Sequence, residues 1–586
     1  MKRFTLLFLL LLATLPASAR KIVIHAADYG IMPHATDLTA RVGQLFSSLE
    51  RRLKPEDHCV VKFKKGRYEF HSEAAAVREY YISNHEQELP KRVVFDLQHL
   101  HSVTLDGGGA DFVFYGTVVP FALGYCTNCT LRRFSIDFAQ PRMLPLEIIE
   151  SSDRGIRFSI PTWVEASVSP DGYFQTHGEG WTYRPSAGMA FEKATHHLAY
   201  GAGEFGVNTK GCRKEADDTW FAPNWKNAAL KPGHVVAARD WNRPTPAIYI
   251  NECARTRVED MRVHYAFGMG LLAQRSEDIT LRGFSVCLRD GDKTDRYYTT
   301  HADATHFSQC KGRIESTGGL YEGMMDDAIN VHGVYLRVDS LIDSHTLLAT
   351  FAHNQAWGFA WGDAGDSVQF VRSKTMEEFG KNTIASIRPA DRTTCVGAKQ
   401  YVIKLSAPLP EELTAGGNFG IEDLTWTPEV RFAHNVVRNN RARGALFSSP
   451  RRTVCEDNLF DHVSGAAILL CGDCNGWYES GSCHNLIIRR NRFRNCLTNY
   501  FQFTNALISI YPEIPDLDAQ QQFFHSGIVI EDNTFETFDR PLLYAKSVDG
   551  ITWHRNRVIE NNEYAPFHWN KERFLLEKTK NVDLKE

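Results

Sequence analysis

Five stretches near the C-terminus, AHNVV (433–437), CEDNLF (455–460), IRRNRF (488–493), IEDNTF (530–535) and WHRNRV (553–558), repeat one pattern. An apolar strand end is followed by charged or polar residues, an Asn, and a return to an apolar position. The step from Asn435 to Asn458, and again from Asn533 to Asn556, is 23 residues, while steps of 33 and 42 on either side of Asn491 leave room for loops. Self-similarity at roughly 20 to 50 residues built from short strands marks a solenoid or a propeller, and a unit near the short end fits one coil of a parallel β-helix. The recurrent Asn reads as a turn residue that tolerates left-handed backbone and bonds neighbouring main chain, a structural role.

Three segments nearer the N-terminus have the same texture: VTLDGGGADFVFYG (103–116), CTLRRFSIDF (129–138) and ITLRGFSVCL (279–288). The chain is therefore expected to be all-β, a right-handed parallel β-helix with rungs over residues 20–144, 246–340 and 422–586. Two stretches break the period, 145–245 and 341–421. Their Gly/Pro punctuation and alternating segments such as YVIKLSAPL (401–409) predict two small β-barrel-like insertions. Neither the leucine spacing of leucine-rich repeats nor the Trp-Asp signature of a propeller is present.

At 586 residues and 43% hydrophobic content the chain can bury a long core. A formal net charge of -4 supplies no positive field, so nucleic acid and anionic lipid are poor partners and a neutral substrate fits better. Residues 1–19 read as a signal peptide: Lys2 and Arg3, the apolar run Phe4 to Leu12, then Ala17-Ser18-Ala19. No cysteine directly follows that site, and no later run of about 18 apolar residues occurs. An exported protein, periplasmic or secreted and without a stable membrane anchor, is expected. The 13 cysteines stand mostly singly in strand-like sequence and form no disulfide framework. Cys471 and Cys474 with Cys483 resemble half of a zinc site, but the sequence lacks the other half, so buried thiols or one local disulfide are expected rather than a metal.

Between the insertions the acids concentrate in HADATHF (301–307) and GLYEGMMDDAINVHG (319–333). Asp326 follows Asp303 by 23 residues, the step of the asparagine repeat. The two are thus expected to stack one coil apart, about 4.8 Å. Stacked carboxylates repel and raise one another's pKa, which points to a working site. Asp327 would face the core in an ideal strand, so a corner or bulge is expected that brings both members of the pair out. Glycoside hydrolysis needs one carboxyl group to protonate the departing oxygen and another to activate water or attack the sugar. Asp303, Asp326 and Asp327 are the candidate catalytic residues, with Asp326 held protonated and the other two sharing the base role. A solvated acidic stripe or a calcium site is the competing reading of such a cluster. His301, His306, His332 and Asn330 are candidate sugar-binding groups beside it. Trp357, Trp361 and Trp426 offer apolar faces on which a sugar can stack.

Several long strings, REYYISNHEQELPK (78–91), HYAFGMGLLAQ (264–274), YEGMMDDAINVHG (321–333), NNRARGALF (439–447), AILLCGDCNGW (467–477) and KSVDGITW (546–553), closely resemble glycoside hydrolase family 110. The resemblance runs from about Tyr80 to about Lys580. It implies an exo-acting, cofactor-free enzyme that removes terminal α-1,3-linked galactose with inversion, from the branched blood group B antigen and from linear chains. It implies a β-helix with small barrel insertions, and it places the family's catalytic aspartates on Asp303, Asp326 and Asp327. The Asp-Asp pair is also similar to that of polygalacturonases, yet this chain has ADATHF where they carry Asn-Thr-Asp-Gly, and it lacks their Gly-His-Gly and Arg-Ile-Lys signatures.

Two other functions remain open from the sequence alone. A pectin-type hydrolase or lyase would show a groove open at both ends and basic residues facing uronates. A non-catalytic glycan-binding solenoid would bind without releasing sugar. Long solenoids can also pair side by side as a homodimer, and no stripe in the sequence shows such a face.

Overall fold

The computed structural model describes residues 20–290, 295–416 and 418–585. The expected signal segment, residues 1–19, lies outside them. From Lys21–His25 to Phe574–Leu584, short strands stack in parallel on the faces of one solenoid. Toward the C-terminus, the first face runs through Val430, Thr453, Leu486, Ile528 and Ile551. A second runs through Val436, Leu459, Arg492, Thr534 and Arg557. The third runs through Ala445, Ile468, Ile508, Leu543 and Phe574. This is the parallel β-helix that the repeat implied.

Alternation along each strand sends every second side chain inward, and identical positions of successive rungs lie over one another. Phe460, Phe493 and Phe535, each two residues after its Asn, form a buried stack that ends on Trp553, with ring centroids 5.2, 4.8 and 5.0 Å apart. Offset stacking of this kind adds about 0.5–1.5 kcal/mol per pair beyond the area buried.

The asparagines themselves point into the solenoid and form a ladder. The Oδ1 of Asn491 accepts from the backbone N–H of Asn458 at 3.0 Å and from its Nδ2 at 2.9 Å, while the Asn458 Nδ2 also donates to the Phe432 carbonyl at 2.9 Å. Asn491 repeats this with Asn533 and the Cys455 carbonyl, and Asn533 with Asn556 and the Ile488 carbonyl. The sequence expectation for the turn needs correction. The left-handed residue is not the Asn but the one before it, His434, Asp457, Arg490, Asp532 or Arg555. That residue turns the chain outward, so the Asn that follows presents its amide inward, where it satisfies two buried main-chain groups of the preceding rung and donates to the Asn side chain of the next.

At the N-terminal end an α-helix, Thr39–Arg52, closes the coil. Val42, Leu45, Phe46 and Leu49 recur at helical spacing and are buried, with Phe46 packed edge-on to Phe95 of the strand Lys91–Gln98 at 5.9 Å. An open solenoid end would leave its core rung wet, and a terminal cap prevents that.

The first insertion is a seven-stranded antiparallel sheet between Leu144–Ser152 and His234–Arg239, accompanied by a three-stranded sheet over Glu165–Val168, Phe174–Gly178 and Trp181–Tyr183. The second is a closed barrel in the order Leu336–Leu341, Thr346–Phe351, Gln400–Leu405, Glu377–Pro389, Ser367–Arg372 and Phe419–Asp423. Each has its own buried apolar cluster. The cysteines are free thiols, and all but Cys395 are buried. Cys474 packs with Tyr335 and Val371 while Cys483 lies in the solenoid core, so the sequence grouping is not a cluster in space.

Replacing Asn491 by Ala strips an acceptor from two donors of Asn458 and removes a donor from the Cys455 carbonyl. Unpaired buried groups cost about 1–3 kcal/mol each, so a loss of about 3 kcal/mol is expected in urea unfolding. An unchanged midpoint would show that the ladder contributes nothing.

Candidate active site

The acid-bearing segments are corners that lead into paired strands. Asp303 precedes Thr305–Ser308, and Asp326 with Asp327 precede Ile329–Val334. Those strands pair in parallel with Thr305 opposite Ile329 and Ser308 opposite His332, a register one residue longer than the 23-residue step between Asn435 and Asn458. The vertical neighbour of Asp303 is therefore Asp327, not Asp326 as the spacing suggested. The Asp327 N–H points to Asp303 Oδ1 at 3.3 Å, and the Ala304 N–H donates to the Asp327 carbonyl at 2.8 Å. The extra residue is a bulge in the strand Lys311–Thr317, whose register against Glu277–Arg282 shifts between Glu277 and Ile279, while Asp326 and Asp327 stand in the corner between Leu320–Glu322 and Ile329–Val334. Strand alternation does not apply there, so both acids of the pair reach the same cavity while Ala328 packs into the core.

One oxygen from each of Asp303, Asp326 and Asp327 lies within 4.8 Å of the other two. The three line a cavity of about 250 Å³, together with Asn84, Trp241, Arg243, Asn330, Arg443 and Trp477 among others. The acids are 3%, 9% and 0% exposed, so Asp326 is the one most open to a ligand.

Guanidinium groups surround the trio. Arg443 donates from Nη2 to Asp327 Oδ2 at 3.0 Å, with its Nε 3.0 Å from Oδ1. Asp326 has Arg243 at 3.4 Å, Arg443 at 3.5 Å and Arg441 at 3.7 Å. Arg441 and Arg239 are themselves fixed by Glu204, a residue of the first insertion, at 3.0 and 2.7 Å. The insertion thus holds one wall of the cavity in place.

These charges divide the acids. Burial alone would raise Asp326, but Arg443, Arg441, Arg243 and Arg239 outweigh it and hold its carboxyl below the usual carboxylate range. Asp303 moves the other way: burial first, and then the Asp326 charge, push it well up against Arg243 and Arg443. Burial and the two neighbouring acids push Asp327 up as well, against the Arg443 fork. These directions run against the expectation that Asp326 carries the proton, because the sequence could not show the arginines that converge on it.

The other sequence candidates divide likewise. His306 lines the cavity, with Nδ1 2.6 Å from Asp303 Oδ2 and Nε2 2.8 Å from His332 Nε2. Asn330 also lines it, and its Oδ1 has no partner, which leaves an acceptor for a ligand hydroxyl. His332 sits behind His306, with Nδ1 2.6 Å from the Gly333 carbonyl. His301 is turned away, with Nε2 on the Tyr265 hydroxyl at 2.6 Å, and burial pushes its ring down to about 3. Neither His301 nor His332 reaches the cavity. Trp361 is buried in the barrel, Trp426 lies under Arg275, and Trp357 packs on Tyr81. The tryptophans at the cavity are Trp241 and Trp477, which sequence reasoning misses because they lie far from the acids in the chain.

Among curated proteins, alpha-1,3-galactosidase B of Phocaeicola vulgatus is 52% identical over 98% of both chains. Alpha-1,3-galactosidase B of Bacteroides fragilis is 51% identical over 100% of this chain and 99% of its own. The chain belongs to the alpha-1,3-galactosidase B family. The Akkermansia muciniphila member, 37% identical, covers 96% of this chain and 69% of its own. Residues 146–236 match the family described as GLAA-B beta-barrel domain I and residues 346–417 match GLAA-B beta-barrel domain II. Among solved structures, the A-module of an Azotobacter vinelandii mannuronan C-5 epimerase is 8% identical with a TM-score of 0.39, covering 96% of this chain and 100% of its own. An exopolygalacturonase from Thermotoga maritima is 8% identical with a TM-score of 0.36, covering 95% and 91%.

In this member of the alpha-1,3-galactosidase B family Arg443 is buried against both Asp327 and Asp326, so removing it leaves the acid cluster without its nearest cation. Arg443→Met should cost about 3–5 kcal/mol in denaturant unfolding, and adding Asp327→Asn should recover a fraction of that loss. Additive single effects would show that the pair is not coupled.

Proposed function

We propose that this chain is an exo-acting α-1,3-galactosidase that releases terminal galactose from branched blood group B-type glycans and from linear α-1,3-galactosyl chains. What carries this reading is a cavity of about 250 Å³, comparable to one hexose, with three carboxyl groups converging on it. The nearby cations favour a neutral sugar over a uronate. Arg243, Arg441 and Arg443 are all turned to the carboxylates, and Arg441 also to Glu204. A pectin-type reaction would need guanidinium groups free for the substrate. No cofactor enters the chemistry we assign. Export to the periplasm or medium belongs to the same reading and rests on the leader sequence.

We assign roles from the charges around the three acids. Asp303 enters protonated and supplies the proton to the departing oxygen, and Asp326 enters as the carboxylate that serves the anomeric centre. Asp327 orders Asp303 from below and holds Arg443. The sign of the pH dependence follows. Asp303 has a raised pKa and must keep its proton, so activity is lost as pH rises through that value. Asp326 has a lowered pKa and must be ionised, so activity is lost only as pH falls below the ordinary carboxylate range.

Leaving-group dependence tests the roles. Asp303→Asn should lose about 10²–10⁴-fold on an α-1,3-galactobiose but far less on an aryl galactoside with an acidic phenol, which needs little proton assistance. Asp326→Asn should lose both. The opposite pattern would return the acid role to Asp326. A panel of branched and linear α-1,3-galactosides tests the substrate, and binding without release by the native chain would favour a glycan-binding solenoid.

The family resemblance implies inversion, in which a carboxylate activates water on the face of the sugar opposite the departing oxygen. NMR of the first-formed sugar tests it: β-galactose means inversion, and α-galactose means retention through a covalent intermediate.

A further inference from the structure

Away from the cavity, one histidine stands between two acids. His462 is buried on the corner after Leu459–Asp461, with Nδ1 2.6 Å from Asp461 Oδ1 and Nε2 2.8 Å from Glu563 Oε1. Arg494 donates to both Asp461 oxygens, and Asn495 donates to the second oxygen of Glu563. Carboxylate oxygens accept and do not donate, so each ring nitrogen of His462 carries a hydrogen and the ring is an imidazolium. His197 of the first insertion lies over it, ring centroids 3.6 Å apart. Burial, and then the His462 charge, push His197 down to about 4, so a neutral ring covers a charged one.

Three parts of the chain meet at this ring, and two of them continue into the cavity wall. Past His197 the insertion crosses the solenoid, with the Gly201 N–H on the Thr498 carbonyl at 3.0 Å and the Gly203 N–H on Asn499 Oδ1 at 2.9 Å. It then reaches Glu204, which fixes Arg441 and Arg239. Past Asn499 the solenoid loop places Gln502 and Phe503 in the cavity lining. The third part, residues 561–570, is a strap over both. The Tyr200 hydroxyl donates to the Ala565 carbonyl, and the Tyr200 ring stacks on Tyr564 at 4.8 Å. The Tyr500 hydroxyl donates to the Phe567 carbonyl at 2.6 Å, and His568 Nε2 is 2.8 Å from the Thr504 carbonyl.

We propose that His462 is a positioning residue for galactose release: charged and clamped between Asp461 and Glu563, it pins the strap and the 197–204 segment on the solenoid and so fixes the wall that carries Arg441, Gln502 and Phe503. The inference rests on reading the cavity as the reaction site and adds to it a clamp that lies outside the cavity. Burial alone would lower His462, but the bonds to Asp461 and Glu563 outweigh it and hold the ring above the ordinary 6.5. A cation raised on folding stabilises fully below its ordinary value and loses that contribution as pH rises through the raised one. The clamp therefore holds in acid and loosens in alkali. The groups that face it are Asp461, Arg494 and Glu536 from the solenoid, Glu563 and Tyr564 from the strap, and His197 and Glu192 from the insertion. Four acids against one arginine keep the surroundings negative.

Glu563→Gln keeps an acceptor for His462 and removes the charge, so loosening should move to lower pH by about one unit. Hydrogen exchange of residues 199–206, corrected for the intrinsic effect of pH, reads the clamp directly. In the native chain protection should fall about tenfold or more between about pH 5 and about pH 9, and in the variant the same fall should come earlier. The core strand Leu486–Arg489 should stay protected in both. On α-1,3-galactobiose, kcat/KM of the variant should match the native value near about pH 5 and drop about threefold or more below it near about pH 8, a pH-dependent split that loss of stability alone does not produce. Nitrogen-15 NMR of histidine-labelled native protein, with His462 assigned by its loss in His462→Gln, should show both ring nitrogens protonated near neutral pH. A singly protonated His462, protection of 199–206 that ignores pH, or a Glu563→Gln profile that coincides with the native one would overturn the proposal. Should the native chain release no galactose, the functional reading fails, and the exchange and NMR results still judge the clamp.

Discussion

Parallel hydrogen bonding between successive coils is the constraint on which the rest depends. Each rung takes its backbone partners from the rungs above and below, so side chains one coil apart fall into columns. Inward columns become the Phe460-to-Trp553 stack and the asparagine ladder. Outward columns bring His306, Asn330 and His332 together, and the corners bring the aspartates together. A fold with longer-range irregular contacts would need separate devices for each of these.

The corners are where the solenoid departs from its own rule, and the chemistry sits there. Within a strand, Asp326 and Asp327 would point to opposite faces. In the corner before Ile329–Val334 both approach Asp303, at the cost of gathering three buried acids in one place. Arg443, Arg441 and Arg243 offset that repulsion, and two of these come from a single Arg-x-Arg segment in the corner between Val436–Arg438 and Ala445–Phe447. The first insertion reaches back with Glu204 to hold Arg441 and Arg239, so an added sheet far from the acids in sequence bears on their charge.

The repeat of an Asn after a charged residue is legible because its physical cause is local and periodic. A left-handed residue before each Asn and an amide that bonds two rungs recur at every turn, and a recurring cause leaves a recurring pattern. The acid pair is legible for a related reason: carboxylates one coil apart are conspicuous in a solenoid. The helix Thr39–Arg52 escapes such reasoning because a single cap has no period to reveal it, although its buried positions do follow helical spacing.

The sequence by itself determined the solenoid, the two interruptions and the three aspartates, since each is written in local pattern or in spacing along the chain. Only the tertiary structure decided which acids are vertical neighbours, because one extra residue bulged into the strand Lys311–Thr317 shifts the register from Asp326 to Asp327. Only it decided which acid is charged, because that depends on arginines far away along the chain converging on one carboxyl group, a separation that no spacing rule carries.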